Sequence, residues 1–377
     1  MITDFDDYCI HQTSQPVAQP QTSDRNFYDR YWFNGLDKDG AFLFEVGFGV
    51  YPNRFVMDGH FSVSAGDTQH SFHASRRAPT DRSETQIGPL KIHVVEPMRV
   101  IRVTVDTNET GIECDLTFYA RTAPSEEPKN AMHDGVRVLM DNSRFTQLGH
   151  WEGYFSVNGQ RTDVKRVTTF GTRDKSWGVR PVGESEAGAP SKLSAPGVYW
   201  VWSPIHFDDI CTQFGSFEDF DGKPTQLSAC VVPAYGNMEA IPRGEDPDHQ
   251  EMESMTHRIH WKPGTRQSQG AEFHYVAKSG DKFDIELTPL RNFYMLGIGY
   301  QHPEWAHAVW HDELKIGGES WQLSEVDPLD FKNIHIHQLV KAKMGDREGV
   351  GTLETICFGR HPSGFKDLLD GAGTPSR

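Results

Sequence analysis

The segment from Gly171 to Asp209 holds the residues best suited to acid–base chemistry. Two of its acids, Asp174 and Asp208, and its histidine, His206, lie close in sequence to large aromatic side chains. Apolar surroundings penalise the charged form of a carboxyl group, so such an acid can stay protonated and donate a proton. Tryptophan faces can also stabilise a developing positive charge. The same segment contains Arg173, Arg180, Trp177, Trp200 and Trp202.

The geometry of a β-strand predicts that His206 and Asp208 point to the same side of the sheet. His206 and Asp208 are two positions apart, and residues i and i+2 of a strand point to the same face. We therefore expect both to enter one cavity together with Asp174, where they could transfer protons to and from a substrate hydroxyl or alkene. A simpler alternative is a strand with core tryptophans, in which Asp174 caps a turn and the HFDD segment is a loop at the strand end.

Histidines are frequent, with 18 in the chain, and they form three further groups. The group around His60 and the aromatic segment around Trp305 are candidate substrate contacts, although a polar sheet face and a half-buried loop are the more frequent explanations of such patterns. His335 and His337 share a strand face, which leaves a metal site open. The glutamate that follows such a pair in cupin-like motifs is missing downstream, so the sequence predicts no metal and no cofactor.

The net charge and the cysteine count of the chain limit which binding partners and which compartment are expected. The 377 residues carry a net charge of −16, which argues against nucleic acid and against electrostatic docking to anionic lipid. Five cysteines, an odd number without a C-x-x-C pair, exclude a complete disulfide framework and favour a reducing compartment. The acidic N-terminus does not resemble a secretory signal, and no apolar run is long enough to span a membrane. We expect a cytoplasmic protein with a small hydrophobic substrate; its oligomeric state is open, a homodimer being one option.

The hydrophobic pattern predicts an all-β fold. Phe42, Phe44, Val46, Phe48 and Val50 alternate with other residues at period two, which indicates a strand with one apolar face. The dipeptide at 158–159, Asn-Gly, is a strong hairpin signal. No window of a dozen residues shows a helical period. The segment 183–197 is rich in Gly, Ala, Ser and Pro and reads as a linker.

Several sequence motifs resemble those of a known protein family. They are YDRYWFNGLDKDG, VMDGHFSV, HASRRAP, GTRDKSWGVRPVG, HFDD and GYQHPEWAHAVW, and they cover most of residues 28–315. With them the sequence resembles the carotenoid 1,2-hydratase (hydroxyneurosporene synthase) superfamily of lipocalin-like proteins, most closely a bacterial branch of that group. The resemblance implies two lipocalin-like (calycin-type) antiparallel β-barrel or sandwich domains with a cavity near their junction. The expected divisions are a loosely ordered arm at 1–25, domains at 26–190 and 191–365, and a tail at 366–377.

The hydratase pattern also suggests roles. There, an Asp-His-x-Trp-Gly run and a later Tyr-x-Asp protonate an alkene, and water captures the resulting cation. Asp174, Trp177 and Gly178 match the first run, but Lys175 replaces its histidine. In the second, Asp208 is kept and His206 takes the place of tyrosine.

The leading hypothesis is a cofactor-independent hydro-lyase, a hydratase or dehydratase, acting on an alkene or tertiary alcohol of an isoprenoid-like substrate. Asp174 or Asp208 would be the general acid and His206 its partner. The expected substrate contacts are Trp177, Trp200, Trp202, Arg173, His60 and Trp305. Two alternatives are a non-catalytic lipocalin-like binder of a hydrophobic metabolite, and a cyclase or isomerase that uses the same cavity.

Overall fold

Strands dominate the computed structural model, which describes residue 9 and residues 18–184, 188–189 and 197–373. Within these ranges the helices are short 3-10 turns, so the all-β prediction is confirmed. None of the described helices is long and apolar enough to cross a membrane. The 3-10 turns are Pro52–Arg54, Met238–Ala240, Met295–Ile298, Leu323–Glu325 and Phe331–Asn333.

The strands fall into two sets along the chain. The first set is β1 (Phe27–Asp37), β2 (Phe42–Tyr51), β3 (Val56–Ala65), β4 (Thr68–Arg77), β5 (Gln86–Ile87), β6 (Leu90–Glu96), β7 (Val100–Val105), β8 (Ile112–Ala120), β9 (Ser125–Glu126), β10 (Asn130–Asp134), β11 (Arg137–Val157), β12 (Gln160–Val164) and β13 (Thr169–Val179). The second set is β14 (Val198–His206), β15 (Ile210–Glu218), β16 (Pro224–Pro233), β17 (Gln250–Trp261), β18 (Ser268–Ala277), β19 (Lys282–Tyr294), β20 (Leu314–Gln322), β21 (His335–Met344) and β22 (Arg347–Phe358).

Two antiparallel sheets result. The first is 14-stranded, with the order β20-β4-β3-β2-β1-β13-β11-β8-β7-β6-β5, and the short strands β9, β10 and β12 pair with β11. The second is a closed barrel of β14-β15-β16-β17-β18-β19-β21-β22. Closure pairs every barrel strand on both sides and leaves no free edge.

The predicted patterns explain how the first sheet is built. The five alternating side chains of β2 named above all lie in one hydrophobic core. The hairpin expected at 158–159 is present, because Val157 pairs with Gln160 and both turn residues have positive φ. Asn-Gly tolerates the positive φ values that a two-residue turn of this kind requires.

Strand β13 presents two different faces, and this decides which side chains reach the space between the sheets. Arg173 and Lys175 are fully buried beneath the first sheet, where Arg173 donates to Gln147 over 2.9 Å and lies over the Phe145 ring. Asp174 and Ser176 point to the opposite face, because neighbouring strand residues alternate. Lys175 pairs instead with the buried carboxylate of Asp29.

The expected division of the chain stays a prediction. The linker at 183–197 and the arm at 1–25 lie largely outside the described residues. Strand β20 comes from the expected C-terminal domain, yet it pairs with β4 and extends the first sheet. The second half of the chain therefore contributes one strand to the first sheet.

Substitution of Gly171 by alanine tests how tightly the side chains pack against β13. A Cβ at this position would lie 2.1 Å from Trp151 Nε1 and 2.6 Å from the carbonyl oxygen of Asn34, which that indole N–H contacts. Overpacking of this kind typically costs about 1–3 kcal/mol. We expect Gly171→Ala to lower the free energy of unfolding by that amount in urea denaturation. Gly236→Ala, where a Cβ meets nothing within 4 Å, is the matched control and should leave it unchanged.

The buried pair of Lys175 and Asp29 yields a second prediction. Both side chains are fully buried, and Arg82 Nη2 is 3.6 Å from the same carboxylate. Removing one partner of a buried ion pair usually costs about 3–5 kcal/mol, because the remaining charge is uncompensated. Lys175→Met should destabilise the protein toward the lower end of that range, since Arg82 remains. The exposed Lys165→Met serves as control, and equal stability of the two variants in thermal denaturation would contradict a structural role for Lys175.

Candidate active site between the two sheets

A cavity of about 160 Å³ lies where the outer face of the first sheet meets the barrel, and we call it the junction cavity. Strands β1, β11 and β13 form one wall, and β14, β15, β21 and β22 form the other. Its lining mixes ionisable groups with aromatic rings. The lining includes Tyr28, Arg30, Glu127, Arg144, Asp174, Arg180, Trp200, Phe217, Tyr300, His335 and Glu354.

Asp174 is a carboxyl group that the cavity partly removes from water. Desolvation in the cavity raises its pKa to about 6, against the opposing effects of Arg144 and Arg30. A carboxyl group with this pKa exists in both protonation states near neutral pH, which suits general acid–base catalysis. The alternation of β13 aims Asp174 into the cavity, while Trp32 and Thr146 occupy the paired positions on the neighbouring strands.

Arg144 links the two walls. Its guanidinium forms an ion pair with Glu127 and lies 5.4 Å from the Trp200 ring centre and 5.6 Å from that of Trp202. Glu127 also accepts a hydrogen bond of 2.6 Å from Gln213 of the barrel. The Arg144 guanidinium therefore has a counter-ion. Its contacts with the Trp200 and Trp202 rings hold these two side chains in place on the barrel side of the cavity.

Two more arginines make one end of the cavity positive. Arg30 Nη1 donates to the Tyr300 hydroxyl over 3.1 Å, and Arg180 lies 4.5 Å from the centre of the Tyr28 ring. Guanidinium groups in this setting can hold a hydroxyl, carbonyl or carboxylate oxygen of a ligand. The cavity is thus part aromatic and part cationic, not purely apolar.

The opposite wall carries two histidines and a carboxylate. His335 Nε2 lies 2.7 Å from Glu354 Oε1, and His337 Nε2 lies 3.4 Å from the same oxygen. Behind them, His337 Nδ1 is 2.7 Å from Glu45 Oε1 of the first sheet. Burial lowers the pKa of His337, but the two carboxylates outweigh this and raise the pKa to about 10. His335, His337 and Glu354 also form one of the groups in the described chain that could hold a metal ion.

The expectation that Asp174, His206 and Asp208 meet in one cavity is wrong. His206 and Asp208 line a separate open cleft of about 400 Å³ next to Phe170 and Lys341. Strand β14 ends at His206, so Asp208 sits on the exposed turn that leads into β15. The i, i+2 rule applies only while the strand continues, and here the chain turns after His206. Burial and Arg121 hold the pKa of His206 well below its usual range, so this side chain is neutral.

Most of the expected substrate contacts also lie elsewhere. Arg173 and Trp177 face the interior of the first sheet, Trp177 packing beside Met98 and Phe145. Trp202 is buried edge-to-face against Trp32, with 5.6 Å between ring centres, and does not line the cavity.

The two expected contacts from the histidine groups share a different neighbour. His60 and Trp305 both pack on His73, at ring-centre distances of 5.1 Å and 5.5 Å, outside the junction cavity. Of the nine expected site residues, Asp174 and Trp200 line the cavity.

Several cavity residues were missed from the sequence. Arg30 and Arg144 lie within strands and carry no local signal apart from being charged in largely buried segments. Glu354 offers a clearer one, since it is a lone acid in the apolar run TLETICF of β22. Its neighbour across the strands is His337, and such pairing between strands is not visible in a single sequence.

Comparison with solved structures supports the fold. A putative AttH protein from Nitrosomonas europaea superposes with a TM-score of 0.50 over 88% of this chain and 92% of that chain, at 11% identity. Kievitone hydratase from Nectria haematococca gives a TM-score of 0.49 over 87% and 88%, also at 11% identity. At 11% identity, the match to the Nitrosomonas europaea protein shows a shared all-β fold alone.

Sequence comparisons define the family. No curated protein matches the chain. A family model described as a family of unknown function (DUF8625) matches residues 2–366, almost the whole length. The chain therefore belongs to the DUF8625 family.

Proposed function

We propose that this protein is a hydro-lyase, a hydratase or dehydratase, in which Asp174 acts as the general acid. The observation that carries the proposal is the place of Asp174, desolvated in a cavity between the two sheets with its pKa raised to about 6. A protonated carboxyl group there can donate to an alkene carbon or to a departing hydroxyl. The donor is a side chain, so this proton transfer itself needs no cofactor. As part of the same proposal, the chain belongs to a bacterial branch of the carotenoid hydratase-like proteins.

The substrate class follows from the lining. The rings of Tyr28, Phe217 and Trp200 suit the apolar, branched end of an isoprenoid-like molecule. A cavity of about 160 Å³ holds only the reacting end of such a chain. Arg30 and Arg180 add a requirement, namely a hydroxyl, carbonyl or carboxylate oxygen near the reacting carbon.

We also propose a reducing, cytoplasmic setting. All five cysteines are free and buried, as is usual where thiols stay reduced. The expected partner is the small hydrophobic substrate.

Replacing the proposed acid tests the assignment. Asp174→Asn keeps the shape of the side chain but cannot donate a carboxyl proton, so turnover should fall about 10²–10⁴-fold. The assay incubates the protein with isoprenoid alkenes and tertiary alcohols in ¹⁸O-labelled water and follows product mass. Asp208→Asn, on the exposed turn, is the matched control and should retain full turnover. Retained turnover in Asp174→Asn, or its loss only in Asp208→Asn, would refute the role of Asp174.

The same assay separates the alternatives. A hydratase incorporates ¹⁸O into the product, and a dehydratase releases the substrate hydroxyl. A cyclase or isomerase would convert the substrate without exchange of oxygen with water. A carrier would bind the ligand and form no product, in which case Asp174→Asn would change affinity alone.

The pH dependence provides an independent check. A general acid must be protonated in the free enzyme, and desolvation raises the pKa of Asp174 to about 6. The value of kcat/KM should therefore be constant below about pH 6 and fall tenfold per pH unit above it. A rate that rises between pH 5 and pH 7 would mean that the ionised carboxylate is the active form, and Asp174 would then be a base.

A further inference from the structure

The wall opposite Asp174 contains a donor set with the composition of a transition-metal site. His335 and His337 lie two residues apart on β21, and Glu354 on β22 is paired directly with His337. The reactive atoms of these three side chains all lie within 4.8 Å of one another, and two of the separations are 2.7 Å and 3.4 Å. Tetrahedral coordination at about 2.0–2.1 Å places ligand atoms about 3.3 Å apart, so only small side-chain shifts are needed.

The surroundings supply the orienting partner that metal sites need. Glu45 Oε1 lies 2.7 Å from His337 Nδ1, and Glu45 Oε2 accepts a hydrogen bond of 2.9 Å from Trp32 Nε1. A carboxylate beside one ring nitrogen keeps the proton there and leaves the other nitrogen free to bind a metal. The Trp32 indole in turn fixes Glu45, which is fully buried.

The contacts inside this group already bring the donor atoms together. His337 lies between two carboxylates, with Nδ1 2.7 Å from Glu45 Oε1 and Nε2 3.4 Å from Glu354 Oε1. The same Glu354 oxygen lies 2.7 Å from His335 Nε2, so two ring nitrogens share one carboxylate oxygen. A divalent cation between these three atoms would be bound by the atoms that now contact one another directly.

Two other groups in the described chain have metal-like composition but fit less well. In the group of His73, His302 and Glu319, His302 Nδ1 accepts from the backbone N–H groups of Glu304 and Trp305. The proton of a neutral His302 must then sit on Nε2, the atom that would have to bind the metal.

In the group of Cys230, His249 and Glu251, the cysteine sulfur is a poor metal ligand. Burial raises the pKa of the Cys230 thiol, and a metal ligand must be the thiolate.

We propose that His335, His337 and Glu354 bind one divalent transition-metal ion, best fitted by Zn²⁺, with Glu45 orienting His337. His335 and Glu354 line the junction cavity together with Asp174, so the proposed ion would be in contact with the same space as that carboxyl group. Two histidines and a glutamate with one open position form the donor set of catalytic zinc sites. The glutamate of the cupin-like pattern is missing just after the two histidines, and the pairing of β21 with β22 places Glu354 beside them instead. The inference goes beyond the proposed function and is measured without substrate.

The experiment is a Zn²⁺ titration of the full-length protein after removal of metals with a chelator. Calorimetry should show one equivalent bound, and Co²⁺ in place of Zn²⁺ should give visible absorption from nitrogen and oxygen ligands. Glu354→Gln and His335→Gln should each abolish stoichiometric binding. Glu45→Gln should raise Kd about 10–100-fold, the usual cost of losing such an orienting partner. Circular dichroism shows whether each variant is folded.

Glu319→Gln is the matched control, because Glu319 belongs to the competing histidine group. It should bind one equivalent of Zn²⁺ with unchanged Kd. Absence of stoichiometric Zn²⁺ in the wild-type protein would overturn the proposal, and so would undiminished binding in folded Glu354→Gln. Binding lost in Glu319→Gln but kept in Glu354→Gln would place the ion at the other group and would also overturn it. Because no turnover is measured, these outcomes leave the role of Asp174 to its own test.

Discussion

Enclosing charged side chains between two sheets is the constraint on which the rest of this structure depends. The outer face of the first sheet packs on the barrel, and a largely apolar contact there would have sufficed for stability. Instead, Arg144 is paired with Glu127, and Glu45 is placed beside His337. Buried charges are tolerated only where a partner compensates them. Asp174 is only partly compensated, because desolvation in the cavity outweighs the effects of Arg144 and Arg30 and raises its pKa to about 6.

The alternation of β13 connects this constraint to the sequence. Lys175, where the hydratase pattern has histidine, faces away from the cavity and pairs with Asp29 beneath the first sheet. The departure from the pattern therefore affects the interior of the sheet and not the lining next to Asp174. Adjacent positions of one strand serve stability and chemistry separately, because they point to opposite faces.

Local patterns predicted local structure well and distant contacts poorly. The apolar face of β2 and the hairpin at 158–159 follow from period and turn chemistry within a few residues. Asp174 and Trp200 line one cavity, and the closeness of acids and tryptophans in the sequence is what predicts that they share a site. His206 and Asp208 were misplaced because nothing in HFDD shows that β14 ends at His206. The pairing of His337 with Glu354, and the approach of Glu45 from the other sheet, depend on tertiary packing that one sequence does not reveal.

The central claim is that Asp174 is an acid tuned by its position between the sheets. A ¹³C NMR titration of the aspartate side-chain carboxyl groups measures this without any knowledge of the substrate, and comparison with Asp174→Asn assigns the resonance. The account predicts a carboxyl resonance with a midpoint near pH 6 that disappears in the variant. It would be contradicted if the resonance lost in the variant titrates near 3.8, the usual value for an exposed aspartate.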